Sequence, residues 1–145
     1  MRNFILIASL CGLALVGCDK AKGEETEKKD PNVAIDAALN AIADLTETYA
    51  TVNEGLVPDT GVMVYCRGGG SLVDDDSLFK TLGFEPSKDL PGNADFCFNI
   101  SSDRKKVWLS GAASPAEAKK RCLVLDLSGE KPVRAAIEVV ESCEP

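Results

Sequence analysis

The chain contains no histidine. Imidazole acid–base catalysis and His-ligated metal sites are therefore absent. None of its cysteines stands in a C-x-x-C arrangement, which speaks against zinc ribbons and thioredoxin-type redox centres. Basic charge is in deficit, with 16 Lys+Arg against 23 Asp+Glu and a net charge of −7. An acidic chain without a basic patch gains nothing from counterion release, so no nucleic-acid partner is expected. No apolar run is long enough to span a bilayer as a helix, which needs about 20 residues. The glycine run Gly68-Gly69-Gly70 lacks the Gly-Lys-Ser/Thr ending of a phosphate loop and reads as a turn. No internal repeat is visible, and the length fits one domain.

What is present begins with a targeting pattern. Arg2 supplies a charged start, and residues 4–16 are apolar except for Ser9 and Gly12. The run ends in Leu15-Val16-Gly17-Cys18, which resembles the lipobox of bacterial lipoproteins. That resemblance implies cleavage after Gly17 and diacylation of the Cys18 thiol. Each buried methylene contributes about 0.8 kcal/mol, so two or three acyl chains hold a protein where one would not. The implied location is the bacterial cell envelope, lipid-anchored and facing the periplasm. Asp19 resembles an inner-membrane retention signal, with the outer membrane as the other destination. Residues 18–30 then form a lipidated cysteine and a charged tether without apolar periodicity (DKAKGEETEKKD). Residues 31–145 form a single domain.

Of six cysteines, Cys11 leaves with the leader and Cys18 is consumed by lipid. Cys66, Cys97, Cys122 and Cys143 remain, an even set in an exported domain that suggests two disulfides with three pairings open. The simplest sequential pairing is Cys66 with Cys97 and Cys122 with Cys143. Each bond would be worth about 3 kcal/mol in the chain-entropy model.

Along the domain, Asp30-Pro31 is a helix start, a good N-cap followed by a good first residue. Ile35, Leu39, Ile42, Leu45, Tyr49 and Val52 make one apolar stripe, and Gly55 and Pro58 close the helix region. The stripe is expected to pack on its own domain. Residues 61–66 (GVMVYC) read as a short strand. Asp74-Asp75-Asp76 are adjacent rather than spaced as calcium ligands are, so they cap the helix 77–82. Leu78, Phe79 and Leu82 should point inward, with Gly83 in a left-handed cap and Phe84 folding back. After a turn at Pro91-Gly92, residues 95–100 alternate as a strand, residues 106–110 form a second and residues 122–127 a third, with turns at Ser102-Asp103 and Gly129. Ser114-Pro115-Ala116-Glu117 resembles a capping box opening a short helix through Arg121. Residues 133–143 fit strand and helix equally by spacing, and their β-branched content favours strand.

The plan is α+β: an amphipathic helix packed on an antiparallel β-meander, with two disulfides. It resembles the globular head of type IV pilins and pseudopilins. The residues that carry this are Thr81-Leu82-Gly83-Phe84-Glu85-Pro86 before the aromatic strand Phe96-Cys97-Phe98, and Trp108-Leu109-Ser110-Gly111-Ala112-Ala113 as the next strand. Within the resemblance, Cys122 and Cys143 correspond to the disulfide closing the C-terminal loop of many pilins. Pilins carry a prepilin leader and a long apolar helix, where this chain has a lipid and a charged tether. The implied role is a repurposed, membrane-held head rather than a filament subunit.

No catalytic, cofactor-binding or metal-ligating residue is assigned, and the one functional site expected is lipidation at Cys18. The expected function is a non-enzymatic binding or structural module with an envelope protein partner, accessory to an envelope or pilus-like assembly. The alternative is a small periplasmic hydrolase or ligand-binding lipoprotein. A hydrolase would draw on serines such as Ser71, with Lys80, Lys105 or Lys106 desolvated beside one of them. A redox role for the four cysteines is disfavoured by their long spacings. The sequon Asn99-Ile100-Ser101 is read as chance.

Overall fold

The computed structural model describes residues 30–67, 77–85, 92 and 94–144. The leader, Cys18, the tether through Lys29, Gly68-Gly69-Gly70, Ser71, Asp74-Asp75-Asp76 and Pro91 lie outside the described residues. Helix α1 spans Pro31–Val52, followed by strand β1 (Val64–Arg67) and helix α2 (Ser77–Leu82). Strands β2 (Asp95–Ile100), β3 (Lys106–Ala112), β4 (Lys120–Asp126), β5 (Val133–Arg134) and β6 (Glu138–Val140) complete the order. Every pairing is antiparallel, in the order β1-β2-β3-β4-β5, with β6 also on β4. The fold is α+β. Among the described residues, no helix is long and apolar enough to cross a membrane.

Helix α1 begins as its sequence requires. The Asp30 carboxylate accepts from the Asn32 backbone N–H at 2.9 Å, and Pro31 opens the first turn. Ile35, Leu39 and Ile42 are fully buried, while Leu45 and Tyr49 are partly so. Val52, expected on the stripe, is instead 78% exposed. It occupies the last turn, where Asn53 already caps the helix and the chain turns away through Glu54 and Gly55, both at positive φ.

The helix packs on one sheet face formed by Phe96, Phe98, Val107, Leu109, Leu123 and Leu125, all essentially dry. Gly111 is what lets α1 come so close. A Cβ there would lie 2.7 Å from Cγ2 of Ile35, a short stiff branch that cannot swing aside. Gly111→Ala is therefore expected to cost about 1–3 kcal/mol by overpacking. Urea unfolding checks this, and an unchanged midpoint would contradict it.

Helix α2 closes as its sequence implies. Gly83 takes φ 78°, the Phe84 N–H donates to the Phe79 carbonyl at 2.8 Å, and the Phe84 ring returns to within 6.0 Å of Phe79.

One expectation needs correction, and a second is met only in part. The capping box at Ser114 does not open a helix. Residues 113–119 form a turn that joins β3 to β4, with one bond from Glu117 N–H to Ser114 C=O at 3.2 Å. Pro115 to Lys119 are exposed and offer no apolar face, so packing cannot stabilise a helix there. Lys120 and Arg121 are instead drawn into the β4 ladder. Residues 133–140 are strand, but interrupted. Arg134 pairs with Leu125 and Glu138 with Cys122, so three residues oppose two. That is a bulge. It shifts the side-chain phase between β5 and β6, which is why spacing alone does not separate strand from helix here.

Candidate functional site

The sheet's second face, opposite α1, carries the chain's unusual chemistry. Register alone aligns Cys66, Cys97, Ser110, Cys122 and Glu138 in one row across five strands. Cys66 bonds to Cys97, its direct cross-strand neighbour, and Cys122 bonds to Cys143. The second bond draws the C-terminal segment over β3. There the Asn99 side-chain amide donates to the Cys143 carbonyl at 3.4 Å. The parallel row holds Val64, Asn99, Trp108 and Val124. Trp108, the only tryptophan, is half-buried, and the Lys106 ammonium sits 5.6 Å from its ring centre. At the far end Lys120 reaches Asp95 at 3.4 Å across the small side chain of Ala112. The other Asp95 oxygen is buried without a hydrogen-bond partner among the described residues.

On the helix side, two arginines tie α1 to the strands. Arg121 grips both oxygens of Asp36. Arg134 donates to Asp44 at 2.6 Å, to Glu47 at 2.7 and 2.9 Å, and to Asn40 at 3.4 Å. Burial by itself would lower the Arg134 pKa, but the two carboxylates more than offset it and raise it. Hydrogen bonding to Asp36 raises that of Arg121. These cations are structural straps, not free anion sites. Arg134→Ala is expected to cost about 1–2 kcal/mol, discounted because Asp44 is largely exposed. Chemical denaturation checks this. A loss below 0.3 kcal/mol (on the order of one solvated pair) would show the strap to be idle.

The serine chemistry resolves into turns. Ser101 donates to Asp103 and Ser128 to Asp126, each at 2.5 Å. These bonds hold both carboxyls below their ordinary range. A carboxylate so stabilised is a weak base and a poor activator of a hydroxyl. The backbone N–H groups of Lys105 and Ser128 bond to the same oxygens, as turn motifs require.

Sequence reasoning passes over three Ser-x-x-Lys spacings, at Ser77–Lys80, Ser102–Lys105 and Ser128–Lys131. Lys80 and Lys131 are exposed and Lys105 is half-buried, so none is a desolvated amine of the kind such a dyad needs. Lys106 is occupied over Trp108. Among the described residues no group of three or more His, Cys, Asp or Glu could hold a metal ion. A shallow cleft of about 320 Å³ lies where the end of α1 meets the β2–β3 and β4–β5 turns, lined by Thr51, Glu54, Lys105, Ser128, Glu130 and Pro132. Its lining is polar and presents no buried reactive group. Compared with known proteins, the chain matches no family model, no curated protein and no solved structure.

Proposed function

We propose that this chain is a bacterial envelope lipoprotein, anchored through acyl chains on Cys18, whose domain acts as a non-enzymatic binding or structural module. The observation that carries the reading is two disulfides in a small acidic domain that follows an apolar leader ending at Cys18. Disulfides persist in oxidising compartments, which agrees with export. Asp19 favours the inner membrane. The contact surface is the sheet face around Trp108, because it carries a half-buried aromatic and α1 does not cover it. The pilin-head likeness of the helix–meander plan favours a partner in an envelope or pilus-like assembly.

The test is crosslinking in the native bacterium from a photoreactive residue placed at Val124, followed by mass spectrometry. Capture of one envelope or pilus component, lost in Trp108→Ala, supports the reading. Recovery of bulk lipoproteins alone counts against it.

A further inference from the structure

Strands β5 and β6 both pair with β4, and no described strand lies beyond them. Ladder alternation tells which of their backbone groups are spent. The Ala135 N–H donates to the Val124 carbonyl at 2.9 Å, so the even-numbered residues of β4 turn their N–H and C=O toward this edge. Glu138 and Val140, opposite Cys122 and Lys120, therefore bond inward to β4. Arg134 and Val139, opposite Leu125 and Arg121, turn their N–H and C=O outward, where no described group meets them. No side chain from 132 to 141 is buried, and Val133 and Val139 are 65% and 57% exposed. An uncovered apolar edge of this kind is a template for another strand.

The edge is also short of positive charge. Glu130, Glu138, Glu141 and Glu144 are exposed, and none is in an ion pair among the described residues. Lys120 is spent on Asp95, Arg121 on Asp36, and Arg134 on Asp44 and Glu47. Lys119 and Lys131 remain, two cations against four carboxylates. A second copy of this chain would bring two such acidic edges together, which like charge disfavours. A basic strand removes the excess. Its pattern follows from the two faces of the sheet. Glu138 points to the face of Cys122, and Val139 to the face of Arg121 and α1. A strand laid beside them meets a carboxylate on one face and an apolar side chain on the other.

We propose that the β5–β6 edge docks an extended segment of a partner protein in which basic and apolar residues alternate, added to the sheet as a further strand. Backbone bonds to Arg134 and Val139 hold the segment, and the free carboxylates select its charge. The inference rests on the reading of the domain as a binding module and names the partner's chemistry. The edge borders the face that carries Trp108, through Val124 and Ala135.

The test adds a short, end-blocked peptide of alternating lysine and valine to the mature protein in detergent, and follows single amides by NMR-detected hydrogen exchange. Exchange at Arg134 and Val139 should slow. The same peptide with glutamate for lysine should bind about tenfold more weakly. Val139→Pro removes an outward N–H and no ladder bond, so it should keep the urea midpoint and lose the protection. The double variant Glu138→Lys, Glu141→Lys leaves the backbone intact and should reverse the preference between the two peptides, which carries the test if the proline variant does not fold. No protection up to about 1 mM peptide, equal binding of both peptides, or an unchanged preference in the double variant would each overturn the proposal. Capture of a partner from Val124 without protection of Arg134 and Val139 would reject the docked strand and leave the binding module standing.

Discussion

Replacing Phe79 by Ala should lower the unfolding free energy by about 3–5 kcal/mol, the range for removing a large buried aromatic ring. The ring is 1% exposed and meets four others, Tyr65, Phe84, Phe96 and Phe98, with centroids 5.9–6.3 Å away. Pairs of this kind contribute about 0.5–1.5 kcal/mol each beyond the area they bury. All four approach edge-on or tilted, so no neighbour can slide in to fill the void without losing its own contacts. The loss is a large share of the roughly 5–15 kcal/mol that holds a domain of this size folded. Phe79→Leu should recover more than half of the difference, because it retains most of the volume. Urea denaturation followed by Trp108 fluorescence measures both. A cost below about 1 kcal/mol for the alanine variant would mean that α2 collapses onto the gap and that the cluster is not a rigid core.

The second large effect concerns the Cys122–Cys143 disulfide. Changing Cys122 and Cys143 together to Ser should cost about 3 kcal/mol, from the loop entropy that the bond removes from the unfolded chain. The cysteines are 21 residues apart, and both are buried, so the native state also loses packing over β3. The C-terminal segment should then detach. Exchange at 141–144 should become fast, and the Asn99 side chain should lose its partner at the Cys143 carbonyl. A shift in the denaturation midpoint without that local change would place the effect wholly in the unfolded chain.

The parts of the fold that could be read from sequence are those with local causes. The α1 stripe follows helical spacing and buries where it should through Ile42. The Gly83 cap follows from a residue that tolerates positive φ, and Phe84 folds back as that cap requires. Strands β2, β3 and β4 announce themselves by alternation. The sequential cysteine pairing agrees with the structure, although spacing left three pairings open.

What escaped sequence reading has causes far apart in the chain. Arg121 and Asp36 are 85 residues apart, and Arg134 and Glu47 are 87 apart. No spacing rule links such pairs. Gly111 looks like one small residue among several until Ile35 is placed above it. The capping box at Ser114 is a sound local signal attached to residues with nothing to bury. The bulge between β5 and β6 defeats period counting because it changes phase inside the window. The sheet face around Trp108 was not legible either, since register is what gathers Cys66, Cys97, Ser110 and Cys122 into one row.

The central claim is the anchor, and the mature N-terminus tests it most directly. The protein would be extracted with detergent from membranes of its own bacterium and its intact mass and N-terminal peptide determined. The account predicts a chain beginning at Cys18, heavier than its amino acids by the mass of two or three acyl chains with their glyceryl group. It also predicts that Cys18→Ser abolishes both that mass and membrane retention. A Cys18 with a free thiol, or a mature chain that starts elsewhere and stays in the aqueous fraction, would contradict it.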